Sequence, residues 1–219
     1  MEGQRAVPPR VLETLDALAA TTALGGFYLA GGTSLALRFN HRVSVDLDFF
    51  HPVGFRAEEV LQGLSPLHQQ VRVEYQDPGT LRLRLGDDDL KVEFFRYVYP
   101  LIRPLTSRGK VLMADPLDVG VMKLSAIASR GNRKDFIDLY WIDRAAVSLS
   151  DIWRAVPVKF ADHLPDPYHI ARSLGYLRDA DREPDVPTLS GPPWSDIRAW
   201  CAEQADALLR QIEAGHPPW

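Results

Sequence analysis

The sequence predicts an α/β (α+β) fold, with a small mixed β-sheet and flanking helices followed by a helical C-terminal half. Short segments between residues 27 and 97 alternate apolar and polar side chains, which is the period of half-buried strands. From residue 115 onward the apolar residues recur at the spacing of helices instead. We therefore expect two domains, an α/β domain over residues 1–112 and a helical domain over residues 113–219.

The elements of the first domain are separated by Gly, Pro and Asp residues. They are a helix after Pro8-Pro9, a strand over 27–30, a helix after Gly31-Gly32, a strand over 43–49, a helix over 56–64, and strands over 71–75, 81–85 and 91–97. Thr33 or Ser34 is expected to cap the second helix with its side-chain oxygen. The last two strands form a hairpin around the turn at residues 86–89.

The second domain is predicted from helical spacing and from residues that start or stop helices. In order, its elements are a helix from Asp115-Pro116 to Gly131, a helix over 134–146, one or two helices over 150–180 with breaks near Pro157 and Pro165, a Pro-rich connector over 181–194, and a helix over 195–213. The Asp-Pro start is favourable because Asp caps helices and Pro is tolerated at the first helical position.

Composition excludes several classes of protein. The 219 residues are 46% hydrophobic and 25% charged, which suits one or two compact domains with a core. A net charge of -4 provides no global basic field, so an RNA partner would require a local basic surface. The single cysteine, Cys201, excludes an internal disulfide and fits a reducing compartment. No apolar run approaches the ~20 residues that span a bilayer, so we expect a cytoplasmic protein without membrane contact.

Residues 28–50, YLAGGTSLALRFNHRVSVDLDFF, are the most informative stretch of the chain. Successive strand side chains point to opposite faces, so Asp46 and Asp48 share one face of the predicted strand. Val45, Leu47 and Phe49 share the other face. Asp is poorly suited to strands, and two of them within an apolar run are costly unless a bound divalent cation compensates. An exposed, solvated strand edge is the alternative interpretation of this pair.

The Gly31-Gly32 pair precedes the acidic strand and could let the backbone approach phosphate groups. The hydroxyl of Thr33 or Ser34 and the following helix N-terminus would donate to phosphate oxygens. Arg42 could pair with a phosphate or with an acidic neighbour. A Gly-Gly pair by itself is an ordinary turn. In combination with Asp-x-Asp, it predicts a metal–nucleotide site.

This pattern resembles the nucleotidyltransferase superfamily, and GGTSLAL with HRVSVDLDFF looks like the AbiEii/AbiGii toxin-like nucleotidyltransferases. The resemblance implies a nucleotidyltransferase-type sheet that carries the catalytic acids and a helical domain that completes a cleft. It implies transfer of a nucleoside monophosphate from an NTP to a hydroxyl acceptor with two Mg²⁺ ions. Asp46 and Asp48 would hold the metal, and Glu93 fits the usual third acid by position and facing. A salt bridge of Glu93 with Arg82 or Arg84 is the alternative.

A second cluster of charged residues lies in the helical domain, and its members are Lys123, Arg130, Arg133, Lys134, Asp135 and Asp138. Its spacing resembles a feature of the AbiEii-like family, in which a helical Lys and a following Asp belong to the active site. The resemblance implies that Lys123 and Arg130 contact the triphosphate and that Asp138 orients them or assists the incoming hydroxyl. An ordinary basic helix face with local ion pairs such as Lys134–Asp138 is the alternative.

The resemblance also implies the partners. A toxin of this type would act on RNA, such as tRNA, or on a protein side chain, and would have a cognate antitoxin. A small-molecule (antibiotic) nucleotidyltransferase and a nucleotide-binding or interaction module without turnover are the alternatives. His41 and His51 flank the acidic strand, and we expect structural or exposed roles for both because this chemistry does not require a histidine.

Overall fold

The computed structural model describes residues 5–67 and 71–215. The chain divides into two compact units, one of Met1–Pro100 with Pro104–Asp115 and one of Leu101–Arg103 with Pro116–Trp219. The first unit contains a mixed β-sheet with flanking helices, and the second consists of helices and their connections. The predicted fold class is therefore confirmed. Within the described residues, no helix has both the length and the apolar character that crossing a membrane requires.

The described part of the first unit forms a seven-stranded sheet in the order β3-β4-β5-β2-β1-β7-β6. The strands are β1 Tyr28–Ala30, β2 Leu47–His51, β3 Val71–Asp77, β4 Thr80–Leu85, β5 Leu90–Arg96, β6 Thr106–Arg108 and β7 Val111–Met113. The helices of this unit are α1 Pro9–Ala19, α2 Gly31–Phe39 and α3 Ala57–Leu64. β2 pairs in parallel with β5, and β1 with β7, while the other neighbours are antiparallel.

The core of the first unit lies on one face of the central strands because their apolar residues alternate with polar ones. The buried strand residues on this face are Leu47, Phe49, Leu81, Leu83, Leu85, Val92 and Phe94. The opposite face of β2 and β5 carries Asp48 and Glu93, which are paired residues in the register of these two strands. The central sheet therefore separates an apolar core face from a face with acidic side chains.

The acidic strand begins later than its alternation predicts. β2 starts at Leu47, so Asp46 precedes the strand, and Val45 is 36% exposed instead of facing the core. The backbone N–H of Ser44 donates to the carbonyl of Ala6 at 2.8 Å. This bond to the N-terminal segment holds the residues before Leu47 away from the sheet ladder.

Two features of the sheet edges differ from the prediction. β3 forms as expected, but Val71 and Val73 are exposed, because β3 lies at the edge of the sheet. The hairpin of β6 and β7 was not predicted. Each of these strands has three residues, which is too short for a periodic pattern to be recognised.

The second unit contains the predicted helices with small shifts in their ends. They are α4 Pro116–Arg130, α5 Arg133–Ala145, α6 Leu149–Lys159, α7 Pro167–Gly175 and α8 Trp194–Glu213. The expected break near Pro157 is wrong, since α6 continues through Pro157 to Lys159. One missing N–H removes a single helix hydrogen bond, and the buried side chains of Ile152, Val156 and Lys159 hold the last turn in place.

A buried ion pair joins three segments of the second unit. The Lys159 Nζ lies 2.7 Å from Asp118 Oδ1, and neither side chain is exposed. Asp118 also accepts hydrogen bonds from the backbone N–H groups of Ile102 at 2.9 Å and Arg103 at 3.0 Å. Burial lowers the pKa of Lys159, and the Asp118 carboxylate offsets part of that effect. Asp118 therefore fixes residues 101–103 to α4 and α6.

Candidate active site

Gly31 brings the start of α2 against Asp48. Gly31 is the first residue of α2 and has φ of +68°, a conformation that L side chains rarely adopt. A Cβ at this position would lie 2.7 Å from Asp48 Oδ2. The register places Ala30 of β1 directly beside Asp48 of β2. A larger residue at position 31 would therefore displace the carboxylate, and glycine leaves room for the backbone and the acid to approach each other.

The backbone of Gly32 likewise lies close to the Arg42 side chain. A Cβ at Gly32 would collide with Arg42 Nη2 and would lie 3.1 Å from Ser44 Oγ. Arg42 is buried, and its Nη1 donates to the carbonyl of Val43 at 3.0 Å. The two glycines thus adjoin an acid and a guanidinium respectively. Asp48 lies in β2, and Arg42 lies in the segment that leads into it.

Thr33 and Ser34 do not cap α2. The N-cap residue is Ala30, with no side-chain capping bond, and both hydroxyl residues lie inside the helix and are buried. The prediction failed because the helix begins at Gly31, so these hydroxyls fall one turn too late. Ser34 Oγ donates to the Gly31 carbonyl at 2.8 Å. The free amides that generally remain at a helix N-terminus are then the donors available to phosphate here.

The Thr33 hydroxyl instead holds the backbone of Asp46. Its Oγ1 donates to the Asp46 carbonyl at 2.5 Å. Because a hydroxyl has one hydrogen, the bond of 2.9 Å between Thr33 Oγ1 and Ser44 Oγ is donated by Ser44. This chain of hydroxyls ties α2 to the residue before β2. Sequence reasoning missed it, since nothing in the spacing of Thr33, Ser44 and Asp46 specifies these partners.

Glu93 is the neighbour of Asp48 across the parallel β2–β5 pair. Paired residues of adjacent strands lie about 4.8 Å apart and point to the same face. Glu93 is 5% exposed, and it forms ion pairs with Arg82, at 2.7 Å, and with Lys91. Burial alone would raise the pKa of Glu93, but the bonds from Lys91 and Arg82 outweigh it and leave the pKa below its usual value. Glu93 is therefore a carboxylate at neutral pH. The salt bridge with Arg82, which was the alternative to a metal role, is present, and the role of Glu93 as a third metal ligand stays a prediction.

The donor chemistry of this face suits a divalent cation. Asp46 and Asp48 are partly exposed, Glu93 is ionised beside Asp48, and carboxylate oxygens are the ligands that Mg²⁺ prefers. Residues 5–67 and 71–215 contain no group of three His, Cys, Asp or Glu side chains already arranged as a metal site. The carboxylate of Glu93 is instead engaged by Arg82 and Lys91.

The second predicted cluster forms a buried ion network within the helical unit. Lys123 Nζ lies 2.7 Å from Asp135 Oδ1 and 2.6 Å from Asp138 Oδ2. Arg130 Nε donates to Asp135 Oδ2 at 3.0 Å. Burial raises the pKa of Asp135, but the charges of Lys123 and Arg130 reverse the effect and leave that pKa below its usual value. The seven-residue spacing of Lys123 and Arg130 thus places both cations on one carboxylate.

Arg133 belongs to a different set of contacts. Its backbone N–H donates to Glu183 at 2.9 Å, and its guanidinium binds Asp185 at 2.6 Å and lies over the Trp194 ring at 5.1 Å. These contacts attach the start of α5 to the Pro-rich connector. Arg133 is therefore structural, whereas Asp135 and Asp138 belong to the network around Lys123.

His41, His51 and Cys201 have structural roles in this structure. His41 is buried, and His51 Nδ1 accepts a hydrogen bond from the backbone N–H of Gly54 at 3.1 Å. Burial lowers the pKa of His51, so its neutral form is favoured. Burial likewise raises the pKa of the Cys201 thiol. Thiolate formation at Cys201 is therefore suppressed, and its role is to fill space in α8.

A comparison with protein families matches most of the chain. The family described as "Nucleotidyl transferase AbiEii toxin, Type IV TA system" matches residues 13–212. A relative from Aquifex aeolicus (strain VF5), the uncharacterized protein aq_aa25, is 36% identical over 209 residues. That match covers 92% of this chain and 95% of the relative. Sequence similarity therefore extends over both structural units.

Solved structures share the fold at low sequence identity. The nucleotidyltransferase toxin MenT4, Rv2826c from Mycobacterium tuberculosis H37Rv, is 16% identical, with a TM-score of 0.62 and coverage of 91% of this chain and 83% of that one. JHP933 from Helicobacter pylori is 17% identical, with a TM-score of 0.59 and coverage of 95% and 96%. These similarities support the fold, and the family match supports the class of reaction.

Proposed function

The chain belongs to the AbiEii nucleotidyl transferase toxin family and is a nucleotidyltransferase; on that basis we propose that it transfers a nucleoside monophosphate from an NTP to a hydroxyl group, with Mg²⁺ as the metal. The observation that carries this proposal is the approach of Gly31 to Asp48, with Glu93 in register on the next strand. The acceptor hydroxyl would belong to RNA, such as tRNA, or to a protein side chain. The toxin–antitoxin assignment of the family implies a cognate antitoxin.

Each candidate site residue named below, all in the first unit, has a defined role in this proposal. Asp46, Asp48 and Glu93 would hold the metal, which when bound neutralises phosphate charge and lowers the pKa of a coordinated hydroxyl. The amides at Gly31 and Gly32 would donate to phosphate oxygens at the start of α2. The Thr33 hydroxyl positions Asp46 by donating to the backbone carbonyl of Asp46.

The reaction forms one bond to phosphorus and breaks one. The oxygen of the acceptor hydroxyl attacks the α-phosphorus of the NTP and its proton passes to solvent, while the bond from that phosphorus to the bridging oxygen breaks and pyrophosphate leaves. The carboxylates and the α2 amides act by positioning these groups and by stabilising charge, which is where phosphoryl-transfer catalysis mainly originates. The roles that the family resemblance implies for Lys123, Arg130 and Asp138 stay predictions, and so does a phosphate contact by Arg42.

Replacing Glu93 by glutamine is expected to lower turnover at least tenfold while leaving NTP affinity within about threefold. The substitution keeps the shape of the side chain but removes one anionic metal ligand, and a charge-assisted contact contributes about 1.5–3 kcal/mol. Steady-state transfer rates and calorimetric NTP titrations measure the two effects separately.

The matched control for Glu93→Gln is Arg82→Gln. This variant removes the 2.7 Å ion pair but retains the carboxylate, so turnover should persist. If Glu93→Gln and Arg82→Gln have equal effects on turnover, Glu93 acts only as the ion-pair partner of the hairpin and the metal assignment is wrong.

The proposed function is tested by asking which molecules acquire label. The purified protein is incubated with each α-³²P-labelled NTP, Mg²⁺, and separate fractions of total RNA, protein and small molecules from a cell lysate. Label in RNA or protein that requires both Mg²⁺ and intact Asp46 and Asp48 supports the proposal. Label only in the small-molecule fraction would instead favour the antibiotic-type enzyme. Absence of label from every fraction would favour a binding module without turnover.

A further inference from the structure

Three aromatic rings, Tyr28, Phe50 and Phe95, form a ladder across β1, β2 and β5. The rings of Tyr28 and Phe50 lie 5.9 Å apart at an interplanar angle of 24°, and those of Phe50 and Phe95 lie 5.2 Å apart at 29°. The register pairs Tyr28 with Phe50 and Phe50 with Phe95. The rings are therefore stacked neighbours on one face of three adjacent strands.

This aromatic ladder lies on the face that carries the acids. Phe50 follows Asp48 by two residues on β2, and Phe95 follows Glu93 by two residues on β5. Alternation places both pairs on the same face, and two residues of strand separate the rows by about 6.6 Å. The ladder is thus the next row of side chains after the proposed metal ligands.

The ladder is also distinct from the aromatic core. Phe49 and Phe94 point to the other face and are 1% and 0% exposed, whereas Phe50 and Phe95 are only half-buried. Tyr97 adds an edge-on ring to Phe50 at a centroid distance of 5.5 Å. Half-buried aromatic surface beside a polar site is a common feature of small-molecule sites.

We propose that the aromatic ladder is the subsite for the base of the incoming NTP, an inference that rests on the proposed function. The proposed function puts the triphosphate at Asp48 and the start of α2. In an NTP only the ribose lies between the α-phosphate and the base, so the base would bind close to these residues. Phe50 is stacked between Tyr28 and Phe95, so a base would continue the ladder by stacking on the other face of Phe95. Stacking of this kind supplies affinity without hydrogen-bond readout, because every base has a π-face.

The test compares ligands with and without a base. Calorimetric titrations with Mg²⁺ use the four α,β-methylene nucleoside triphosphates, which resist transfer, and inorganic tripolyphosphate. Wild-type protein should bind at least one of the nucleotides more tightly than tripolyphosphate. Phe95→Leu should weaken nucleotide binding by about fivefold or more and leave tripolyphosphate affinity within about twofold. Phe95→Tyr should retain the nucleotide affinity, since it keeps the ring.

Phe55→Leu is the matched control. Phe55 is also half-buried, but its ring packs edge-on against Phe27 at 5.1 Å on the core side. The Phe55→Leu substitution should not change the ratio of nucleotide affinity to tripolyphosphate affinity. Equal losses for both ligands in Phe95→Leu, or equal affinities of wild-type protein for both, would overturn the base subsite while leaving the proposed function intact. If wild-type protein binds neither ligand, the proposed function fails and the subsite fails with it.

Discussion

Replacing Asp46 and Asp48 together by asparagine is expected to lower nucleotidyl transfer by at least about 1,000-fold and to abolish Mg²⁺-dependent NTP binding. A metal ion stabilises the charge that develops in the transition state by several kcal/mol, and each 1.36 kcal/mol corresponds to a factor of ten in rate. Amide oxygens are weaker ligands for Mg²⁺ than carboxylates, so the pair cannot retain the ion. Transfer assays with labelled NTP and calorimetric titration with Mg²⁺ and NTP measure the two losses.

The double variant should remain folded. Asp48 is paired with Glu93 in the sheet, and Asp46 lies two residues from Asp48 in the chain. Like charges repel, so removing the two aspartates should leave the melting temperature unchanged or raise it. Asp87→Asn with Asp88→Asn is the matched control, because these acids are exposed on the β4–β5 turn. The control should transfer nucleotide at the wild-type rate. Unchanged Mg²⁺–NTP affinity in the Asp46/Asp48 variant would contradict the metal assignment.

Much of the fold follows from local signals in the sequence. Asp115-Pro116 and Gly131 bound α4 as predicted, and the buried Leu81, Leu83 and Leu85 confirm the alternation of β4. These elements were predictable because the residues that determine them lie within the elements themselves. The late start of β2 was not predictable from local signals, because the hydrogen bond from Ser44 to Ala6 joins residues that are distant in the chain.

The candidate site was predictable in part for the same reason. Alternation alone placed Glu93 on the face opposite Val92 and Phe94, and the register then brought it beside Asp48. The same period of two in Asp48-x-Phe50 and Glu93-x-Phe95 could have revealed the aromatic ladder. The partners of Thr33 and the buried pair of Asp118 with Lys159 depend on tertiary contacts, for which the sequence carries no spacing rule.

Replacing Lys123 by methionine is expected to destabilise the helical unit by about 3–5 kcal/mol. Its side chain is 7% exposed and contacts Asp135 and Asp138, whose side chains are 0% exposed, and removal of one member of a buried ion pair has a cost of this size. All five tryptophans follow residue 140, so urea unfolding monitored by tryptophan fluorescence reports on the helical unit. Lys134→Met, on the neighbouring helix, should change stability by less than about 0.5 kcal/mol.

The pH dependence gives a second measure of the Lys123 network. The pKa of Asp135 is lowered in the folded protein, so its contribution to stability is present above the unfolded pKa, about 3.9, and is lost as pH falls through the lower folded value. Burial alone would raise that pKa, and Lys123 is a main opposing cause. The acid-induced loss of stability between about pH 5 and pH 3 should therefore be smaller in Lys123→Met than in wild-type protein. An unchanged slope would contradict the pairing with Asp135.

The same variant separates a structural role of Lys123 from the catalytic role that the family resemblance implies. Turnover is measured per folded molecule, without urea and at a temperature where fluorescence shows that both proteins are folded. A phosphate contact contributes about 1.5–3 kcal/mol, so its loss should lower turnover at least tenfold beyond any loss of folded protein. Turnover per folded molecule within about twofold of wild type would limit Lys123 to holding α4 against α5, because a residue that only stabilises the fold changes the amount of active protein and not its rate.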